Sequence, residues 1–154
     1  MGTNLFHGPS NATMDAKGRF ALPSALRKQM PDDVDNSLVI TCDPASDCLL
    51  VYPPSTWHAV LEDLLSRSNT NQIVKQFQRK FVGNAREVDL DANGRLLIPP
   101  VLREYAHLNS KLVLAGMGKN IELWNEQDWA AQNDELKDLM NSGEAAELLD
   151  GFSY

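Results

Sequence analysis

The sequence lacks an apolar run long enough to cross a membrane, since a spanning helix needs about 20 consecutive apolar residues. Its first residues also lack a basic region followed by an apolar stretch, which is the pattern of a secretory signal peptide. The composition, with 43% hydrophobic and 23% charged residues, is that of an ordinary soluble globular protein. We therefore expect a cytoplasmic protein without a membrane partner.

Cysteine and histidine are scarce. Cys42 and Cys48 are the only cysteines, and two thiols without a secretory signal indicate a reducing compartment. A metal site would need two more ligands, and the three histidines, His7, His58 and His107, are scattered without ligand spacing. We interpret both cysteines as half-buried thiols beside a turn, and we predict no metal and no cofactor.

Common enzyme motifs are missing as well. The sequence has no nucleophile elbow centred on Ser, no His-Glu metal helix and no Walker loop. The Gly-x-Gly-Lys at residues 116–119 lies between two predicted strands, so we interpret it as a turn and not as a phosphate loop. Asp15 and Asp91 could act as paired carboxylates only if both met in one pocket. We predict a protein without enzymatic activity.

The net charge is −7, but the acidity is confined to one end of the chain. Residues 122–154 contain nine acidic residues and one basic residue, whereas residues 1–121 contain twelve acidic and thirteen basic ones. Local patches decide whether a protein binds nucleic acid, so the acidic total neither excludes DNA as a partner nor supports it.

What the sequence does contain is an internal duplication. Residues 14–23 (MDAKGRFALP) return as residues 90–99 (LDANGRLLIP), and further matched blocks follow in the same order. Each copy is therefore expected to build the same unit. Two halves of about 75 residues would each bury a thin core, so we expect them to share one core or to dimerise.

Hydrophobic spacing and turn residues predict the elements. Each copy is predicted to form a turn and a strand at the repeated motif, then a short helix, then a hairpin. One helix follows the first hairpin, and another is predicted over residues 125–141. Between the copies, Thr70 is a candidate cap for a further helix, whose apolar stripe is Ile73, Val74, Phe77 and Phe81. Residues 143–154 are predicted to be mobile or loosely docked.

The motif Asp-x-x-Gly-Arg occurs once in each copy. The side chains of Asp15 and Asp91 can accept hydrogen bonds from backbone N–H groups two residues on, as in an Asx-turn. Gly18 and Gly94 can adopt a positive φ, which side chains disfavour. We predict that these four residues are structural turn residues. The arginine that follows can pair with a carboxylate, but turn geometry makes no demand for it.

The cations of the motif favour nucleic acid. Lys17 and Arg19 lie two residues apart, a spacing that places both side chains on one face of an extended chain. Arginine pairs with phosphate and fits the O6/N7 edge of guanine. The candidate DNA-binding residues are Lys17, Arg19, Arg27, Lys28 and Arg95. The second copy replaces both lysines, by Asn and by Glu, so we expect the first copy to contact DNA and Arg95 to serve mainly as scaffold or subunit contact.

The chain resembles the MraZ family of bacterial transcriptional regulators, which contain two repeats of the AbrB/SpoVT-like swapped-hairpin type. The resemblance covers about residues 6–132. It rests on Asp15–Arg19, Cys48–Pro53 with Trp57, Gln78–Arg79 with Gly83, Asp91–Arg95 with Pro100–Arg103, and Glu122–Trp124 with Trp129. Together these motifs are specific, although a single Asp-x-x-Gly-Arg would be weak.

The resemblance implies a mainly β core with flanking helices, α+β by content. The expected fold is a pseudo-twofold double-split β-barrel built from two swapped-hairpin AbrB-like repeats. We expect the first repeat at residues 5–54, a helical pair at 55–83, the second repeat at 84–130, and a C-terminal helix with an acidic tail at 131–154. The DNA-contacting arginine of the family corresponds to Arg19.

The same resemblance implies a function. It predicts a sequence-specific DNA-binding regulator that acts on direct repeats of double-stranded DNA in the promoter of the division and cell-wall gene cluster, and that represses its own operon. It also implies a ring-shaped homo-oligomer, association with the nucleoid and no small-molecule substrate. The alternative is a protein-interaction, antitoxin-like module on the same fold.

Overall fold

The computed structural model describes residues 5–31, 35–67 and 70–153. The strands within these ranges are β1 (Phe6–Thr13), β2 (Arg19–Ala21), β3 (Ser37–Cys42), β4 (Leu49–Tyr52), β5 (Arg86–Asp89), β6 (Arg95–Leu97), β7 (Lys111–Gly118) and β8 (Ile121–Asn125). The helices are α1 (Ser24–Arg27), α2 (Pro54–Ser66), α3 (Gln72–Phe81), α4 (Pro100–Tyr105), α5 (Glu126–Met140) and α6 (Gly143–Leu148). Both predicted hairpins are present, as β3–β4 and β7–β8.

The strands form one six-stranded sheet, in the order β1-β7-β8-β4-β3-β5, and a separate two-stranded ribbon of β2 and β6. All the strand pairs are antiparallel. The first strand of each copy pairs with the hairpin of the other copy, because β1 lies beside β7 and β5 lies beside β3. The two copies are therefore interleaved along their length.

The mainly β core with flanking helices confirms the α+β class. The described strands do not close into a barrel, so the observed architecture is an open sheet with a ribbon packed against it. Strand β1 was not predicted, because its residues include glycine and proline and show no clean alternation of apolar and polar side chains.

Both copies contribute to one hydrophobic core, as expected for halves too small to stand alone. Equivalent residues of the two copies lie in it: Phe20 pairs with Leu96 across the ribbon, and Leu26 and Leu102 belong to the same core, all at most 1% exposed. Full burial of such a side chain contributes roughly 1.5–3 kcal/mol. Packing across the repeat boundary is therefore what holds the two copies in one unit.

A second apolar cluster covers the other face of the sheet under α2 and α3. Trp57 and Phe81 pack there with their ring centroids 5.1 Å apart. Helix α3 is capped by Asn71, whose side chain accepts a hydrogen bond from the N–H of Ile73 at 2.8 Å, so the prediction of Thr70 as the cap was wrong by one residue. The predicted stripe is buried only at Phe81, while Ile73 is 76% exposed.

The second copy also ends in two helices. The side chain of Asn125 caps α5, and Trp129 of α5 packs against Trp124 of β8 with ring centroids 6.1 Å apart. Helix α6 packs on α5, in a segment for which the sequence predicted no element. Among the residues that the structure describes, no helix combines the length and the apolar character that a membrane span requires.

Candidate nucleic-acid interface

The ribbon of β2 and β6 places the two motif arginines on one surface. Phe20 pairs with Leu96 at the centre of the ribbon, and both side chains are buried. Because successive side chains of a strand alternate between its faces, Arg19 and Arg95 lie together on the outer face. The register makes them diagonal neighbours, a separation of roughly 7–8 Å.

The first turn is built by its aspartate. Asp15 Oδ1 accepts hydrogen bonds from the N–H groups of Lys17 and Arg19, both at 2.9 Å. The carbonyl oxygen of Asp15 accepts a third from the N–H of Gly18 at 3.0 Å. This is Asx-turn geometry, and Gly18 within it has a φ of +90°.

The second turn repeats these contacts. Asp91 Oδ1 accepts hydrogen bonds from the N–H groups of Asn93 at 2.8 Å and Arg95 at 2.9 Å. Gly94 has a φ of +74° and donates to the carbonyl oxygen of Asp91 at 3.0 Å. Duplicated sequence has thus produced two turns with the same backbone and the same side-chain bonds.

Each arginine is held by the aspartate of its own turn. Arg19 Nε donates to Asp15 Oδ2 at 3.2 Å, and Arg95 Nε donates to Asp91 Oδ2 at 3.0 Å. The arginine side chains are 34% and 35% exposed. Within the described ranges their terminal nitrogens make no hydrogen bond. Both guanidinium groups therefore present a fixed and unoccupied pair of donors to solvent.

The turns also set the charge state of their carboxylates. The N–H of Arg19 is the largest influence that lowers the pKa of Asp15 below its ordinary value of 3.8, and the N–H of Arg95 does the same for Asp91. Both groups are therefore ionised at neutral pH. Each carboxylate accepts its hydrogen bonds from its own turn.

Two further arginines reach the turns from the opposite copy. A Cβ placed on Gly18 would come within 2.6 Å of Arg103 Cζ, and one on Gly94 would come within 2.6 Å of Arg27 Nη1. Helices α1 and α4 supply these side chains, since Arg27 and Arg103 each follow a buried leucine that anchors its helix in the core. Each turn therefore holds its own arginine and one from the other copy.

Arg103 was missed among the candidate residues. The signal was present in the duplication, because Leu102-Arg103 repeats Leu26-Arg27. The sequence alone did not show that each short helix would lie beside the turn of the other copy. The interleaved pairing of the strands is what brings Arg103 to the first turn. The Nε atom of Arg103 is buried and has no hydrogen-bond partner among the described residues.

The predicted lysines lie at the edges of this surface. Lys17 is exposed on the first turn, beside Arg19. Lys28 is the C-cap of α1 and is also exposed. It lines a cavity of about 260 Å³ together with Arg27 and Leu90. The cationic surface, defined as Lys17, Arg19, Arg27, Arg95 and Arg103, contains five cations against the carboxylates of Asp15 and Asp91.

The cysteines lie elsewhere and are fully buried, not half-buried as predicted. Cys48 has potential ligand atoms of Asp43 and Glu122 nearby, all within 4.8 Å of one another. Burial, followed by the Glu122 carboxylate, raises the pKa of the Cys48 thiol. The thiol therefore stays protonated, and its S–H donates a hydrogen bond to Asp43 Oδ2, with the sulfur and the oxygen 3.6 Å apart.

These features define the class of protein. It is a duplicated α+β chain with two interleaved halves and two equivalent Asp-x-x-Gly-Arg turns. The chain matches the family model described as "MraZ protein, putative antitoxin-like" twice, over residues 5–80 and 81–152. It therefore belongs to the MraZ family, which confirms the resemblance found in the sequence.

Curated relatives extend this match over nearly the whole chain. A protein of Thioalkalivibrio sulfidiphilus named "Transcriptional regulator MraZ" is 41% identical over 150 residues, which are 97% of this chain and 99% of that protein. One of Shewanella denitrificans with the same name is 42% identical over 138 residues, 90% of this chain and 91% of that protein. One of Shewanella amazonensis, also so named, is 40% identical over 142 residues, 92% of this chain and 93% of that protein.

Proposed function

We propose that this chain is a sequence-specific DNA-binding transcriptional regulator. The observation that carries the proposal is the convergence of four arginines on two turns of one ribbon, in a chain whose net charge is −7. The names of the relatives support the same function. Local positive charge on an acidic protein is the electrostatic footprint of a nucleic-acid surface.

Arg19 is the residue to which we assign sequence recognition. Its Nε is held by Asp15, so the terminal nitrogens are already oriented and little side-chain entropy is lost on binding. A guanidinium presented in this way matches O6 and N7 of guanine in the major groove. Lys17, Arg27 and Lys28 contribute phosphate contacts, which position the protein without reading bases.

Arg95 has the same geometry as Arg19, so the difference expected between the copies rests on their neighbours. Asn93 stands in the position of Lys17, and Glu104 stands in the position of Lys28. The second turn therefore attracts phosphate less strongly than the first. We assign it a weaker DNA contact, or a contact between subunits.

One subunit has too small a basic surface for tight binding, so we propose assembly into a ring-shaped homo-oligomer. Repetition of the cationic surface at a fixed spacing raises the effective concentration for neighbouring DNA sites. Such an assembly suits direct repeats, which we place in the promoter of the division and cell-wall gene cluster. Repression of its own operon and association with the nucleoid complete the proposal.

The test is the binding of Arg19→Ala to a genomic fragment that spans the start of the chain's own gene. Loss of about 1–3 kcal/mol per base contact, repeated in each subunit, should abolish specific binding. Arg67→Ala is a matched control, because Arg67 also pairs with an aspartate four residues earlier, Asp63, at 3.3 Å. Mobility shift gives the affinity, and size-exclusion chromatography checks that the oligomer is intact.

Four measurements distinguish DNA binding from the alternative function. Arg19→Lys should retain salt-dependent, non-specific binding and lose sequence preference. The lysine keeps the positive charge but lacks the planar guanidinium that can donate two parallel hydrogen bonds to one base. Arg95→Ala should weaken binding less than Arg19→Ala. Unchanged affinity of Arg19→Ala in an intact oligomer would contradict the assignment. Stoichiometric capture of one protein after nuclease treatment would instead favour the antitoxin-like alternative.

A further inference from the structure

The guanidinium of Arg103 lies flat against the first turn. Its Cζ, Nε and Nη1 atoms are 2.6, 2.7 and 2.8 Å from the position that a Cβ of Gly18 would take, and such similar distances mean that the plane of the group faces the glycine. The contact at the second turn is different. Nη1 of Arg27 is 2.6 Å from the corresponding point of Gly94, but Cζ and Nη2 are 3.4 and 3.9 Å away, so Arg27 touches its glycine with one edge.

Arg103 also has no counterion inside the described ranges. Arg19 donates through Nε to a carboxylate of its own turn, whereas the side chain of Arg103 makes no hydrogen bond and no ion pair with these residues. Its Nε is closed off from solvent and the side chain as a whole is half-buried. Arg27 is exposed and can be hydrated instead. A half-buried cation with unpaired donors is costly, which indicates that its partner is an anion from outside the chain.

Helix α4 fixes the position from which Arg103 reaches the turn. The preceding residue, Leu102, is 1% exposed in the core. Two residues further on, the hydroxyl of Tyr105 donates to the carbonyl oxygen of Asp43 and lies 3.1 Å from that of Ser46. The backbone of Arg103 is therefore held beside the first turn before any ligand binds, which lowers the entropy cost of a contact made there.

We infer that Arg103 binds a backbone phosphate of the DNA whose bases Arg19 reads. Arginine and phosphate form charge-assisted hydrogen bonds, frequently through two parallel N–H donors. Because Nε is buried, the two terminal nitrogens of Arg103 are the donors for this contact.

A phosphate held by Arg103 lies beside the base contact, because Gly18 directly precedes Arg19 in the chain. Phosphate contacts of this kind fix the register of a protein on the duplex. The DNA site of the first turn is then composed of both copies, since α4 belongs to the second. The inference rests on the proposed DNA-binding function and adds to it a residue and the group that this residue binds.

Salt dependence tests the contact. Arg103→Ala should weaken binding about tenfold or more, by the same factor for the genomic fragment and for a scrambled fragment of equal length and composition. The slope of log affinity against log salt should become shallower by about 0.9 for each subunit in contact with the DNA. Arg19→Ala should instead lose the preference for the genomic fragment. Mobility shift over about 50–200 mM salt measures both quantities.

Three further variants control for charge, packing and folding. Arg103→Lys keeps a cation that can bind phosphate, so it should retain the salt slope. Arg103→Met keeps the apolar stem without the charge and should reproduce the shallower slope even where the alanine variant fails to fold. Arg79→Ala removes the same charge from an exposed position of α3, over the opposite face of the sheet, and should change neither affinity nor slope.

An unchanged salt slope in Arg103→Ala and Arg103→Met would overturn the inference. A loss confined to the genomic fragment would overturn it too, because Arg103 would then support the turn that positions Arg19 and not bind phosphate. Both results leave the DNA proposal standing if Arg19→Ala loses its preference. A shallower slope in Arg103→Ala beside unchanged affinity of Arg19→Ala would overturn only the assignment of sequence recognition to Arg19.

Discussion

The guanidinium of Arg103 lies against Gly18, at a distance that leaves no room for a Cβ on the glycine. The mirrored contact joins Arg27 to Gly94. Each residue pair joins the short helix of one copy to the turn of the other. The duplication thus produces a chain in which neither motif is complete without a side chain from its counterpart.

Gly18→Ala should disturb DNA binding more than stability. Its φ of +90° strains any side chain, at a cost of roughly 1 kcal/mol or more, and the new methyl displaces the end of Arg103, which is flexible and can move. Gly118→Ala is the matched control, because Gly118 has a φ of +83° and nothing within 4 Å of its Cβ position.

The measurements for this pair are urea unfolding and DNA affinity. Similar losses of stability are expected in both variants, with reduced affinity only in Gly18→Ala. Equal affinities would show that the position of Arg103 does not matter for binding. Arg103→Ala provides the comparison, since it removes the same cation without adding strain.

Much of the core could be predicted from the duplicated sequence, because apolar spacing and turn residues act locally. The hairpins and the two Gly-containing turns follow from such local rules. The exchange of β1 and β5 between the copies depends on pairing between residues far apart in the chain, such as Phe6 with Gly118 and Ser37 with Asp89, which periodicity does not report. For the same reason the candidate site lacked Arg103, although Arg27 was included.

The shift from Thr70 to Asn71 has a different cause. Both residue types cap helices, and the choice depends on which side chain reaches the N–H of Ile73. Exposure of the α3 stripe likewise depends on where the helix is anchored. Of the stripe residues, only Phe81 belongs to the buried cluster around Trp57. The exposure of the stripe increases from Phe81 toward Ile73 at the N-terminal end of the helix.

Phe20→Ala should be strongly destabilising, by about 3–5 kcal/mol, because it empties a fully buried position where both copies meet. Leu97→Ala is the control on the same ribbon. Leu97 is 49% exposed on the outer face, so its loss should change stability by about 0.5 kcal/mol or less. Urea titration followed by tryptophan fluorescence measures both. A comparable loss in the two variants would contradict the assignment of the ribbon faces.

The turn carboxylates should make stability depend on acid pH. Folding lowers the pKa of Asp15 and Asp91, so their contribution is complete above the ordinary value of 3.8 and is lost as pH falls through the lower folded values. In the double variant Asp15→Asn with Asp91→Asn, each side chain retains an acceptor oxygen and loses its charge. The unaltered chain should have the higher urea midpoint at pH 6, with the gap closing below about pH 3.8.

The outcome at low pH distinguishes this linkage from a general effect of charge. Asp150→Asn makes the same chemical change at an exposed site whose carboxylate accepts no hydrogen bond within the described part of the chain. It should give no such gap. A gap of constant size from pH 6 to pH 3 in the Asp15 and Asp91 variant would mean that the substitution acts through packing and not through ionisation.

Both cysteines should resist thiol reagents until the chain unfolds. Cys42 and Cys48 are buried, and burial raises the pKa of each thiol, so little of the reactive thiolate forms at pH 8. Ellman's reagent should modify two thiols per chain in denaturant and far less than one in the native protein over the same time. Ser153→Cys adds an exposed thiol as an internal standard. Native modification of Cys48 at the rate of that standard would show that the cluster with Asp43 and Glu122 opens to solvent without unfolding.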